Sequence, residues 1–213
     1  MIPAATVPPK PRRALRYALV GLIAAALAVA GVAVYRSASA AVPLSGTVDG
    51  SLPGAPAAPD GAVTAEDGLL PEGATAFDEG YPGVARLSPG LRDALQRAAH
   101  DAAADGIVVR VNSGWRSAEY QDRLLQDAVA EYGSAEEAAR WVASSSTSAH
   151  VAGEAVDVGS YDAVDWLARR GAAYGLCQTY ANESWHFELR PEAIDLGCPT
   201  PYVDPTQDPR MHG

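Results

Sequence analysis

Cysteine, histidine and cationic side chains are scarce in this 213-residue chain, and each scarcity closes off a class of protein. Two cysteines cannot make a disulfide-dense scaffold, and Cys177 and Cys198 stand too far apart for the C-x-x-C spacing of a redox or metal motif. Of the 16 Lys+Arg, five (Lys10, Arg12, Arg13, Arg16, Arg36) lie in the first 36 residues, which hold no acidic side chain. The rest carries 11 Arg against 26 Asp+Glu, a balance of −15. With no basic stripe there to meet phosphates, the composition argues against nucleic acid as a partner. No internal repeat is visible, so a solenoid or propeller is not indicated. There are four histidines, His100, His150, His186 and His212, and each calls for an account.

One absence is local. Tyr17 to Tyr35, YALVGLIAAALAVAGVAVY, runs 19 residues without a charge, and as a helix rising ~1.5 Å per residue it would span roughly the ~30 Å hydrocarbon core of a bilayer. The pattern predicts a single transmembrane anchor over 17–35, with the basic tail 1–16 cytoplasmic and everything after Arg36 on the outer side. The competing reading is a cleaved signal peptide, since Ala38–Ala40 (ASA) fits the small-residue cleavage pattern. Arg12-Arg13 hints at twin-arginine export but lacks the fuller motif. All three readings place the remainder outside the cytoplasm. Residues 36–79, rich in Ala, Gly, Pro, Ser and Asp without periodicity, read as a flexible linker. Residues 80–213 are then long enough for one core and one domain.

Within that part, Ser88-Pro89 starts a helix whose apolar face is Leu91, Ala94, Leu95, Ala98 and Ala102, and Asp105-Gly106 ends it. Ile107 to Ser113 is a β-branched run and predicts a strand. Ser117 caps a second helix reaching Gly133, with Tyr120, Leu124, Leu125 and Ala128 inward. Ser134 and Glu137 have capping-box spacing and start a third helix carrying Trp141 and Val142. Tyr161 to Tyr174 predicts a fourth, stopped by Gly175. Helices and short strands alternate irregularly, which defines an α+β class.

The remaining segments carry the chemistry. Ala155 to Gly159 (AVDVG) reads as a short strand whose period of two puts Val156 and Val158 on one face and Asp157 on the other. Ser184 to Leu189 (SWHFEL) alternates likewise, with Trp185, Phe187 and Leu189 opposed to His186 and Glu188. Two strands therefore aim one metal-binding type each off the core face. His150, Asp157 and His186 supply two imidazoles and a carboxylate, a set that suits Zn2+ and leaves a fourth position open, as catalytic rather than structural zinc sites do. Each residue taken singly also fits a plainer role: His150 in a loop, Asp157 as a strand-end cap, His186 in the core. His100 and His212 read as solvated, and Glu154 and Glu188 as exposed charges.

These segments resemble a known family. SAHVAGEAVD (148–157) matches S-x-H-x-x-G-x-A-x-D, and ESWH (183–186) matches E-x-W-H, both motifs of the VanY-like zinc D-alanyl-D-alanine carboxypeptidases; SGWRSAEYQ (113–121) looks like their upstream substrate-binding segment. The resemblance covers roughly residues 87–199. It implies a small central antiparallel sheet flanked by helices, of the hedgehog/D-Ala-D-Ala peptidase type, one zinc per chain on His150, Asp157 and His186, and Glu183 as general base. It further implies that Arg116, Gln121 and Ser148 hold the substrate's terminal carboxylate or polarise its scissile carbonyl. Trp115 departs from the tyrosine common at its position, which bears on fine substrate preference.

The chemistry calls for such residues. Zinc lowers the pKa of bound water to about 7; Glu183 can take a proton and return it to the leaving amine; a guanidinium such as that of Arg116 can meet an oxyanion or, two-point, a carboxylate. Trp185 fits the core by alternation and a substrate platform by type. Cys177 and Cys198 lie where disulfides persist and are expected to pair, a nucleophile or ligand role lacking the spacing. The reading is an extracytoplasmic zinc carboxypeptidase that removes the terminal D-Ala from peptidoglycan stem peptides. The alternatives are an L,D-carboxypeptidase, an endopeptidase of the same fold, or a non-catalytic zinc-containing wall-binding module. No residue pattern fixes the oligomeric state.

Overall fold

The computed structural model describes residues 62–212. The anchor over 17–35 and the tail before it lie outside the described residues; among the described residues no helix is long and apolar enough to cross a membrane.

Four short antiparallel strands, β1 (Arg110–Ser113), β2 (Ala155–Gly159), β3 (Leu176–Gln178) and β4 (His186–Leu189), form one sheet in the order β1-β2-β4-β3. Three longer helices, α1 (Pro89–Ala104), α2 (Ala118–Tyr132) and α3 (Tyr161–Arg170), flank it with several single turns of helix. This is the α+β arrangement that the irregular alternation predicts.

The core lies between α1, α3 and one face of the sheet. Leu91, Leu95, Ala98 and Ala102 of α1 pack with Val111, Val156, Val158 and Phe187 of the strands and with Trp166 and Leu167 of α3, all buried. That face is apolar because the strands alternate, so the other face is free to carry polar groups. The helix ends follow the sequence: Pro89 opens α1, Ser117 accepts the Tyr120 amide at 3.0 Å, and Ser160 accepts the Ala163 amide at 3.3 Å.

Several boundaries differ from the sequence prediction. The predicted strand from Ile107 begins only at Arg110, because the Ile107 amide turns back to the Ala102 carbonyl at 3.0 Å and closes α1 first. The predicted third helix is one turn, Ala135–Ala138, so Trp141 and Val142 follow it rather than ride on it. The fourth tightens to a 3-10 turn from Gly171 to Tyr174. The linker boundary at 79/80 is set too late. Residues 62–79 contribute a capped turn at Ala65–Asp67, the Ala74 carbonyl accepts the Val111 amide at 2.8 Å, and Thr75 pairs with Arg110. The apolar residues there follow no helix or strand period, although Ala76 is buried in the core and Leu70 packs against it.

Candidate metal centre

The sheet register creates the centre. Asp157 stands opposite His186 across the β2–β4 ladder, and both project from the face away from the core. His150 arrives from a turn next to β2 that only glycine permits: Gly153 sits at φ +73, and a Cβ there would fall 2.4 Å from the Arg86 carbonyl. The same turn is pinned to the start of α1, the Ser88 amide donating to the Gly153 carbonyl at 2.8 Å.

The three side chains are buried and converge. One donor atom from each, His150, Asp157 and His186, lies within 4.8 Å of the others. The imidazoles meet edge to face, 5.0 Å between centroids. Their outer nitrogens are committed: His150 Nδ1 is 2.8 Å from the Gly114 carbonyl, and His186 Nε2 is 3.3 Å from Glu188 Oε1. An acceptor at each outer nitrogen places the proton there and leaves a lone pair on His150 Nε2 and His186 Nδ1. Both inner nitrogens lie 3.3 Å from Asp157 Oδ1. Yet Asp157 Oδ1 and His186 Nδ1 are buried without a hydrogen-bond partner. Buried polar atoms in this state are costly, and lone pairs converging on one point are what a cation satisfies. Two neutral imidazoles and a carboxylate are the donor chemistry of zinc. The residues present therefore fit the metal.

Electrostatics act differently on the three donors. Burial alone would lower the His186 ring, but Asp157 and Glu188 outweigh it and push it up to about 9, so a cation at Nδ1 would displace a proton there. Burial pushes the His150 ring down, and the nearby Arg116 guanidinium adds to this, which favours the neutral form. Burial alone would raise the Asp157 carboxyl, but His150, His186 and Arg116 outweigh it and hold it well below the usual carboxylate range. Arg116 donates to Asp157 Oδ2 at 2.7 Å, leaving Oδ1 to face the histidines.

Glu183 lies beside this group, Oε2 3.8 Å from His186 Nδ1, with Oε1 buried and unpartnered. Burial pushes its carboxyl up to about 7, against the pull of His186 and Arg116. A carboxyl in that range can both take and return a proton near neutrality.

The other predicted residues divide. Arg116 borders the centre, with Nε on Ser113 Oγ at 2.7 Å and Nη1 on Gln121 Oε1 at 3.1 Å. Gln121 is 1% exposed, and its other amide atom donates to the Ala143 carbonyl at 2.8 Å. Both ends of the Gln121 amide are thus engaged, and the side chain also borders the cleft beside Arg116. Ser148 is buried at the edge of the cleft. Trp185, at 41% exposed, lines the cleft rather than the core, because it precedes β4 and escapes its alternation. Trp115 is not part of the cleft lining; its ring lies under Arg86, 4.2 Å from the guanidinium. The cleft measures about 330 Å³, and Tyr132, Trp141 and Met211 also line it. His100, His212 and Glu154 are exposed, as predicted. Glu188 is not: it is 1% exposed and stands behind His186. Its position in the SWHFEL alternation, on the same side as His186, is the signal that could have found it. The Gly114 carbonyl has no signal in the sequence. Cys177 and Cys198 form a disulfide.

A four-stranded antiparallel sheet with one polar face, carrying a buried group of three potential metal donors and a carboxyl at its side, defines a compact α+β domain with a candidate metal site. The particular family follows from comparison. The VanY D-alanyl-D-alanine carboxypeptidase family model matches residues 84–192, just over half of the chain, and the chain belongs to that family. A D-alanyl-D-alanine carboxypeptidase of Enterococcus faecalis is 32% identical over 127 residues, covering 48% of this chain and 46% of that protein. The chain thus spans under half the length of that relative. Among solved structures, a mutant of the vancomycin-resistance D,D-pentapeptidase VanY from a VanB-type cassette, in complex with Zn(II), is 25% identical with a TM-score of 0.48, covering 53% of this chain and 80% of that one. The L,D-carboxypeptidase DacB of a streptococcus is 27% identical with a TM-score of 0.44, covering 52% and 71%.

Proposed function

We propose that this protein is a zinc-dependent D-alanyl-D-alanine carboxypeptidase that trims the terminal D-Ala from peptidoglycan stem peptides. The observation that carries the reading is the convergence of His150, Asp157 and His186 on unpartnered buried atoms, with Glu183 beside them. Zinc held by these three residues would supply Lewis-acid polarisation of the scissile carbonyl and an acidified water.

The rest is the work of the chain's own side chains. Glu183 takes a proton from the attacking water at its unpartnered Oε1 and returns it to the leaving amine. Arg116 commits one N–H each to Ser113, Gln121 and Asp157, so two of the five donors of a guanidinium remain for the substrate. Those two face a terminal carboxylate or a developing oxyanion. Trp185 and the aromatic pair Tyr132 and Trp141 offer apolar surface to the rest of the peptide.

An extracytoplasmic location accompanies this reading. The disulfide supports it, since such bonds persist in oxidising compartments, and the uncharged run over 17–35 would serve as membrane anchor, or as a signal if cleaved.

Glu183→Gln tests the assignment. The variant keeps the shape but cannot accept a proton, so zinc content should stay at one per chain while turnover falls ~10²–10⁴-fold. Near wild-type turnover would remove Glu183 from the role.

A further inference from the structure

The chain beyond residue 192 lies outside the family match, so family membership does not explain what that part contributes. It is fastened at successive points to the metal centre. The disulfide ties Cys198 to Cys177 of β3, whose register partner is Glu188. From there the segment runs beside the lead-in to Glu183. The Tyr202 amide donates to the Thr179 carbonyl at 3.0 Å, and the Tyr202 carbonyl accepts the Ala181 amide at 2.7 Å. Arg140 donates to Asp204 at 3.1 Å, and the Tyr180 hydroxyl donates to fully buried Asp208 at 3.0 Å.

Arg210 then turns inward. Its Nη1 and Nη2 donate to Glu188 Oε2 and Oε1 at 2.7 and 3.0 Å, while Nε is held by Asp208 at 3.0 Å. Glu188 also accepts from Arg190 at 2.9 Å, and its Oε1 is the atom facing His186 Nε2. A carboxylate buried to this degree needs such partners to stay in place, because an isolated buried charge is strongly unfavourable. The two-point fork fixes the direction of both oxygens as well as their presence.

Resting on the zinc reading above, we propose that Arg210 is a positioning residue for the metal centre: by clamping Glu188 it holds the His186 ring in the tautomer and orientation that present Nδ1 to the cation. The group acts through two other side chains and does not touch substrate.

Zinc affinity of the purified full chain, read by competition with a chromophoric chelator, tests this. Arg210→Met should weaken zinc binding about 10–100-fold, the usual cost of removing a partner behind a metal ligand. Arg210→Lys, which keeps a charge without the fork, should fall between that variant and the wild type. Arg140→Met releases the same segment at Asp204 without touching Glu188, and should bind zinc as the wild type does. Glu188→Leu combined with Arg210→Met removes the buried Glu188 charge and leaves Asp208 the Tyr180 hydroxyl and the backbone amide of residue 210 as donors, so it should fold and show the same weakening.

Wild-type affinity in Arg210→Met, or in the double variant if the single one does not fold, overturns the proposal. An equal loss in Arg140→Met also overturns it, by making the effect one of segment docking. Unfolding of both Arg210 variants with Arg140→Met intact would make the clamp a folding element only, and overturn it too. If the wild-type chain binds no zinc, the metal reading itself fails, and this inference with it.

Discussion

Arg116 joins two tasks in one side chain. It donates to Asp157 Oδ2 at 2.7 Å, and two of its five N–H groups remain beyond its bonds to Ser113, Gln121 and Asp157. If those donors receive the free carboxylate of a stem peptide, capping that terminus as an amide removes a charge-assisted two-point contact. Wild-type kcat/KM should therefore favour the free acid, and Arg116→Lys should lose much of that preference. The acid-to-amide ratio within each protein cancels any damage to the centre common to both substrates. Equal rates on both forms in the wild type would point to an endopeptidase. At this scale the sequence is informative where residue type and strand period coincide. Asp157 and His186 share the off-core face that alternation predicts, whereas Glu183 is singled out only by the family motif, and the structure brings these together with His150. Gln121 is read as a substrate contact through the resemblance, and no pattern in the sequence shows that its buried amide bridges Arg116 to the Ala143 carbonyl. Glu188 is misread for a related reason: a glutamate is ordinarily exposed, and the arginines that make its burial tolerable come from Arg190 and from Arg210, a distant residue that no pattern links to it.

Elements that converge on the centre are short, so their ends are held by other means. The three- and four-residue strands β3 and β4 lie beside the disulfide, which closes the segment from Cys177 to Cys198 that contains Glu183 and His186. In the chain-entropy picture, a loop of this separation, 21 residues, stabilises the fold by about 3 kcal/mol. Cys177→Ser combined with Cys198→Ser should lower the stability extrapolated to water by that amount and steepen the urea slope, since the uncrosslinked unfolded chain exposes more surface; the urea midpoint falls accordingly. An unchanged midpoint would show that the closure contributes nothing. Helix α1 is legible from its opening proline and apolar period and α2 from its cap, although of the predicted inward face of α2 only Ala128 is buried. The turn after Ser134 is not legible in length: the capping signal is real, Ser134 accepting the Glu137 amide at 3.1 Å, yet the helix ends after one turn. A cap specifies where a helix starts and says nothing of its length.

At the scale of the whole molecule, the sheet separates two functions. One face packs Val156, Val158 and Phe187 into the core, and the other carries Asp157 and His186 toward a cleft of about 330 Å³. Segments outside the family match complete it: residues before 84 reach the Arg116 loop, where the Ser117 amide donates to the Asp67 carbonyl at 2.8 Å, and those after 192 lie behind His186, Arg210 donating to Glu188 at 2.7 Å. The first of these is hidden in the sequence, because its apolar residues, Ala76 of the core and Leu70 packed against it among them, follow no period and the segment resembles a linker. The central claim is zinc-dependent removal of one C-terminal D-Ala, and product mass tests it most directly. The purified protein is incubated with a defined stem pentapeptide, its amide and the matching tetrapeptide, with and without a chelator. The account expects the pentapeptide acid alone to lose a single D-Ala, chelation to stop the reaction and added zinc to restore it. Cleavage of the tetrapeptide, a cut inside the peptide, or release that persists after the metal is stripped would contradict it.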